Sequence, residues 1–358
     1  MKRKKQTLVI LSPGFPKDKA DTTCLPALQT FVKALKEICP GLNIVVISFQ
    51  YPFYAAEYDW HGVKVVSIGG KGRGRIFRLI TWQRVWLQLK MLHRNYQLIG
   101  LLSFWVGECA FVGNRFAKKH GLMHYTWILG QDAKPRNKYF RWIKPKADEL
   151  VAMSDFLVRE VRHNYGVKPL HVIPVGVDTS MFKNVPVNRD IDILSAGSLI
   201  PLKRYQFFVE AVIHLKDIFP NINAVICGNG PEMELLKSLA LDNGVSDNIT
   251  FKGEVPHVEV INLMQRSKIF LHPSVYEGFG TVLSEALYSG AQLVSFTKPM
   301  DKDYRHHFVV KTQGEMNARL VSLLKSKNIN YDPVLICSIE EIAKNMICLF
   351  AESLAAKH

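Results

Sequence analysis

The sequence predicts an α/β chain of two doubly wound, mainly parallel-sheet domains, and three features carry that prediction. Its 358 residues exceed what one ordinary core holds and suit two domains of roughly 170 residues each. Short β-branched apolar runs alternate with stretches of helical spacing through both halves of the chain. Between the halves, residues 172–178 and the polar stretch 183–190 carry turn formers such as Pro174, Gly176 and Pro186, which places a boundary near residue 180.

Taken in order, residues 7–11 and 43–49 read as strands. Between them Leu25, Leu28, Phe31, Val32, Leu35 and Ile38 recur at helical spacing over residues 22–39. Further strand-like runs at 63–68, 97–102, 124–129 and 149–153 are separated by helical patterns at 77–93, 106–120 and 155–165. The second half repeats the alternation, with strands at 191–195, 224–227, 249–252, 269–272 and 292–295 and helices at 205–217, 232–242, 258–266 and 283–289. Ser338 with Glu341 forms a capping-box pattern that opens a last helix through residue 354.

Composition excludes several classes. With 48% hydrophobic and 22% charged residues, the chain is neither disordered nor collagen-like. Lys2 to Lys5 is basic enough to open a signal peptide, but the apolar stretch after it, residues 7–11, is too short for a signal core. The longest apolar neighbourhood, residues 98–106, falls well short of the roughly 20 residues that span a bilayer. The six cysteines are scattered, without CxxC pairs or zinc-ligand spacing, which fits free thiols in a reducing cytosol. Residues 1–180 carry 28 Lys/Arg against 12 Asp/Glu, whereas residues 181–358 carry 18 against 19, so the whole +15 excess sits in the first half. That half attracts polyanions: anionic headgroups, acidic glycans or nucleic acid.

In Ser274-Val275-Tyr276-Glu277-Gly278-Phe279-Gly280-Thr281-Val282-Leu283-Ser284-Glu285, a strand ends, a glycine-containing turn follows and a helix begins. Such a helix start offers free N–H groups and a positive dipole end to a phosphate. Glu277 just before it and Glu285 one turn into it can flank one small polar ligand and accept hydrogen bonds from its hydroxyls. Read alone, a glutamate at a turn and one on an exposed helix face are also ordinary surface features. Lys203, in a strand-to-helix loop, has the charge to neutralise a diphosphate, or is a solvated loop lysine. Gly228-Asn229-Gly230 closes a strand where a loop can approach a nucleoside, or is a structural turn.

The run HPSVYEGFGTVLSEAL, with seven residues between Glu277 and Glu285, is similar to the signature of glycosyltransferase family 4, retaining enzymes of the GT-B fold. The resemblance extends from about Met153 to Gly290 and through the C-terminal helix, by way of SDFLVREV, IPVGVD, SAGSLIPLKRYQFFVEA, ICGNGPE and ITFKGEV in the expected order. It implies domains at 1–180 and 181–337 facing across a cleft, with a helix over 338–358 packing back on the first. It further implies a nucleotide diphosphate sugar donor, transfer with retention, no required metal or other cofactor, and a glycan or lipid-linked acceptor, as in cell-surface polysaccharide or glycolipid synthesis.

Carried over by position, Glu277 and Lys203 are expected in the reaction, and Glu285, Lys203, Arg204, Ser198, Gly230, Gly278, Phe279, Gly280 and Thr281 in donor binding. The chain departs from the family pattern by placing Ser198 where an arginine is usual, and Arg204 is the neighbouring cation available in its stead. The first half matches less closely. Ser103-Phe104-Trp105 and the Gly130 turn lie where the family has its acceptor-side loops, but the usual His before that glycine is Leu129 here. Asp132 or Gln131 stands to contact the sugar or acceptor in its place; Asp132 is the one assigned to the catalytic set, with a turn role as its alternative. His124 reads as a hydrogen-bonded core residue.

Residues 73–94 interleave cations with apolar side chains, and Arg75, Arg78, Trp82, Arg84 and Trp86 are assigned to a face that meets the acceptor or an anionic membrane. The alternative is a helix packed on the sheet with solvated charges. Gly69 to Gly74 lacks a dinucleotide-binding register and reads as a flexible basic loop. Together these features predict a cytoplasmic, peripheral enzyme. Two competing readings are a nucleotide-sugar epimerase of the same fold, which needs an acid and a base in its cleft, and a nucleic-acid-binding protein, for which no motif accompanies the charge.

Overall fold

The computed structural model describes residues 4–74, 76–183 and 187–355. The chain divides into two compact units, one running to Gly176 and regaining the chain at Ile339, the other comprising Val177–Ser338.

The first unit runs β1 (Gln6–Gly14), α1 (Pro26–Ile38), β2 (Asn43–Tyr51), β3 (Ala56–Trp60), β4 (Val63–Ser67), α2 (Ile76–Asn95), β5 (Gln97–Phe104), α3 (Glu108–His120), β6 (His124–Ile128), α4 (Lys138–Ile143), β7 (Leu150–Ala152), α5 (Asp155–Tyr165) and β8 (His171–Val172). Its sheet has the order β3-β4-β2-β1-β5-β6-β7-β8, parallel except for β3 against β4. Leu8 to Leu11 on β1 are fully buried, as expected of a strand covered on both faces. Phe31 of α1 meets Trp127 of β6 edge to face at 4.9 Å.

The second unit runs β9 (Ile191–Ala196), α6 (Gln206–Lys216), β10 (Ala224–Cys227), α7 (Met233–Asp242), β11 (Ile249–Gly253), α8 (His257–Arg266), β12 (Ser267–His272), α9 (Thr281–Tyr288), β13 (Gln292–Ser295), β14 (His307–Val309) and α10 (Gln313–Lys325). All its strands are parallel, in the order β11-β10-β9-β12-β13-β14. Successive β9 residues serve opposite faces: Ile193 packs with Phe208 and Val212 of α6, and Leu194 with Leu283 and Leu287 of α9. The chain leaves β9 in one direction through β10 and β11, then returns to its other side with β12. The neighbours β9 and β12 are thus where the winding reverses, the place at which open α/β sheets bind ligands.

The last helix, α11 (Ile339–Ala355), packs on α1 and β5 of the first unit. Phe350 is fully buried edge to face with Tyr125 at 4.9 Å, and the Tyr125 hydroxyl donates to the Leu349 carbonyl at 3.0 Å. Some elements differ from the sequence expectation. The first helix begins at Pro26, because Asp21 accepts from the Lys17 and Cys24 amides and from the Tyr51 hydroxyl and so holds residues 17–24 as a loop. Helices α4 and α10 and strands β3, β8 and β14 are additional.

Candidate functional site

The carboxyl ends of β9 and β12 set the site. After β9, the Gly197 amide donates to Cys227 O at 3.0 Å and the Leu199 amide to Asn229 O at 3.0 Å, so this loop is stitched to the one after β10. Glycine is required there: a Cβ at Gly228 would strike the Gly197 carbonyl, and one at Gly230 the Leu199 carbonyl. Gly230 is accordingly accounted for by close loop packing. The chain then makes a single 3₁₀ turn, Pro201–Lys203, that delivers Lys203.

After β12, Glu277 turns back onto both strand ends. Its Oε2 accepts from Lys203 Nζ and lies 3.1 Å from Nε2 of His272, the last residue of β12, whose side chain is only 2% exposed. Burial works to raise the Glu277 carboxyl, but the His272 bond and the Lys203 charge hold it down at about 2. Burial pushes His272 below its ordinary value, so it is neutral near pH 7 and must carry its proton on Nε2 to donate to Glu277. Lys203 and Glu277, both expected in the reaction from sequence, are joined as one partly buried ion pair.

Gly280 precedes α9, and a Cβ on it would come to 3.1 Å from the Glu277 carboxylate. In the first turn of α9 the Leu283 amide donates to the Gly280 carbonyl at 2.9 Å, and no amide from Gly278 to Thr281 donates in a described turn. Phe279 is 3% exposed, so only its main chain can reach a ligand. Leu283, Ala286 and Leu287 seat the helix in the core. Glu285, in its second turn, is 5% exposed and meets His257 Nε2, at the start of α8, at 2.8 Å. Burial disfavours the His257 imidazolium, but the bond and charge of Glu285, with Asp178 adding, lift it above its ordinary value.

His257 and His272 were missed by sequence reasoning, although His272 stands inside the quoted motif and His257 follows Pro256 at a helix start. Ser198 is exposed on the loop after β9. Arg204 does not join the Lys203 pair: its guanidinium lies over the Phe207 ring at 5.1 Å.

In the first unit, Asp132 is turned onto main-chain amides. Oδ2 accepts from Val106 at 2.8 Å, and Oδ1 from Gly130 at 2.9 Å and Leu129 at 3.3 Å, tying the loop after β5 to the loop after β6. Burial pushes its carboxyl up to about 6 in spite of these amides. This is the turn role rather than an open carboxylate. His124 is a core residue, 2.8 Å from Ser103 Oγ, and burial lowers it to about 3.

The face assigned to α2 needs correction. Trp82 donates to Glu108 at 2.8 Å and lies 4.8 Å from Phe111, and Trp86 packs on Phe116 at 5.1 Å, so both indoles serve the α2–α3 contact. Arg78 lies over Trp82 at 5.6 Å, Arg84 is exposed, and Arg75 lies outside the described residues. The basic loop before α2 is also anchored. Gln50 takes the Lys71 amide on its carbonyl at 3.1 Å and the Gly72 amide on its side chain at 2.8 Å. Among the described residues no group of three or more His, Cys, Asp and Glu is gathered to hold a metal ion.

Two Rossmann-like domains of parallel strands, one with polar groups converging at its topological switch point, define a chain of the GT-B fold. Residues 28–181 match the family described as Glycosyltransferase Family 4, and residues 177–329 match Glycosyl transferases group 1. The chain belongs to the family 4 glycosyltransferases.

Among curated relatives, a component of phosphatidylinositol N-acetylglucosaminyltransferase from Arabidopsis thaliana is 28% identical over 164 residues, covering 44% of this chain and 37% of the relative. The match thus spans little more than a third of that protein. Among solved structures, a sucrose-phosphate synthase from Thermosynechococcus elongatus shares the fold with a TM-score of 0.76 at 15% identity, covering 98% of this chain and 100% of the other. An Anabaena protein solved with UDP and glucose has a TM-score of 0.70 at 15% identity, covering 98% and 99%.

Proposed function

We propose that the chain is a retaining glycosyltransferase that moves a sugar from a nucleotide diphosphate sugar to a glycan or lipid-linked acceptor. The observation that carries this reading is the convergence of Lys203, His272 and Glu277, with Gly280 at the N-terminus of α9 packed against the Glu277 carboxylate and Glu285 on the same helix. When the sugar leaves, negative charge grows on the departing diphosphate. Lys203 and the α9 amides are the groups that stabilise it, and they do so without a bound divalent ion.

Glu277 holds Lys203 in place and faces the sugar, while Glu285 accepts from the ribose hydroxyls and is oriented by His257. The Anabaena neighbour solved with UDP makes a UDP-sugar the first donor to test. The basic first unit takes the acceptor, on the cytoplasmic side of a membrane that holds the enzyme peripherally. Support for that compartment is that all six cysteines are free thiols.

Calorimetric titration with UDP tests the donor assignment. Glu285→Ala should weaken binding by roughly 1.5–3 kcal/mol per charge-assisted bond lost. Glu277→Gln should depress turnover while leaving UDP affinity nearly unchanged. Unchanged affinity in Glu285→Ala would remove the ribose role, and equal losses in both variants would remove the division of labour.

A further inference from the structure

Helix α2 carries two apolar stripes where a helix packed on a sheet needs one. Thr81, Val85, Leu89 and Leu92 are buried against the first unit. Ile76, Ile80, Leu87 and Met91 recur at the same helical spacing about half a turn away and are 65%, 42%, 55% and 37% exposed. Leu79, beside the second stripe, is 57% exposed. Ridges this apolar on an outer face mark an interaction surface.

Packed rings link α2 to α4 by way of the buried Phe111. Trp82 meets Phe111 at 4.8 Å, and Phe111 meets Trp142 at 5.6 Å, with Trp142 itself 41% exposed. Cations lie over these rings: Arg78 over Trp82, Arg115 over Phe111 at 4.3 Å, and Lys138 over Trp142 at 5.2 Å. Between Asp59 and Asp148 the sequence holds 17 Lys/Arg and two acids, Glu108 and Asp132. Glu108 is bonded to Trp82 and Gln50, and Asp132 to loop amides, so both acids are turned to internal partners.

We propose that the outer faces of α2 and α4 form a seat for an anionic phospholipid bilayer. The charge selects a polyanionic partner. The exposed aliphatic stripe selects among polyanions, because a nucleic acid or an acidic glycan offers it no apolar phase, whereas a bilayer accepts the aliphatic side chains below its headgroups and the cations at them. An indole such as Trp142, apolar with a polar edge, suits that boundary. This deepens the peripheral placement proposed above and is independent of the donor assignment.

The test is co-sedimentation of the full chain with vesicles of phosphatidylcholine alone and of phosphatidylcholine with a third of phosphatidylglycerol. Binding is expected only to the second, and to fall steeply with added salt. Reversing Lys138 and Arg141 to Glu should weaken it by roughly fivefold or more per charge. Leu79→Asp with Ile80→Asp, at exposed positions, should weaken it by about tenfold or more. Circular dichroism and the UDP-induced thermal shift, measured on each variant, report fold and donor site separately. Quenching of wild-type fluorescence by brominated lipid, reduced in Trp142→Phe, is the second readout. No binding to anionic vesicles at low salt overturns the proposal. So does equal binding to neutral vesicles, or loss of binding only on charge reversal with heparin as an effective competitor, which would identify a soluble polyanion instead.

Discussion

Glu277, partly buried, and Glu285, buried, each lie beside an imidazole, yet the two histidines titrate in opposite senses. His272 is pressed down by burial and by the nearby Lys203 charge, which leaves Glu277 to be neutralised by the ammonium. His257 meets no such cation among its described partners, and Glu285 with Asp178 lifts it. The signs of the pH effects follow. Glu277, held near 2 against an ordinary 4.5, contributes stability that is full above about pH 4.5 and lost as pH falls towards 2. His257, raised above 6.5, contributes stability that is full below that value and lost as pH rises through its folded pKa. His257→Gln keeps a hydrogen-bond donor but loses the charge. Its deficit against wild type in urea unfolding should therefore be largest near about pH 6 and shrink by about pH 9. A deficit that does not vary with pH would show that the pair is held by hydrogen bonding alone.

The elements that carry the site were legible because their sequence signals are local. Strands β9 and β12 are built round short apolar centres, Ile193-Leu194 and Ile269-Phe270-Leu271, and α9 announces itself by the glycines before it and by Leu283, Ala286 and Leu287 on one face. What sequence could not show was which side chains meet across the switch point. Lys203 and Glu277 are 74 residues apart, and only strand order brings them together. The rings of α2 were misplaced for a related reason: spacing alone does not tell the stripe that packs on α3 from the one that faces out. The unread α10 did carry a signal, since Thr312 caps it by accepting from the Glu315 amide at 3.2 Å. The closing helix α11 offers a direct test of element-level anchoring. Phe350→Ala removes a fully buried ring packed on Tyr125 and Gly100, and should cost about 3–5 kcal/mol in denaturant unfolding of the first unit. A loss below about 1 kcal/mol would show that α11 frays without consequence for that core.

At the scale of the whole molecule, charge and donor chemistry are segregated. The excess cations lie in residues 1–180, while residues 181–358 are close to balance, with 18 Lys/Arg against 19 Asp/Glu. Each unit has its own sheet, and every residue placed at the donor site belongs to Val177–Ser338. A ligand that binds only the native state stabilises what it touches, by about 2.7 kcal/mol at a hundred times its dissociation constant. Hydrogen exchange should register this as local protection. With UDP present, slowed exchange should concentrate in residues 197–204 and 272–285, the stretches that hold Lys203, His272, Glu277 and Glu285. Helices α2 and α4 should be unaffected by UDP and slowed instead by anionic vesicles, because their exposed side chains are the ones assigned to lipid. The two patterns are separable in one protein. If UDP protected chiefly α2 and α4, the switch point between β9 and β12 would lose its claim to the donor. If vesicles protected chiefly residues 272–285, the lipid seat would have to be sought in the second unit.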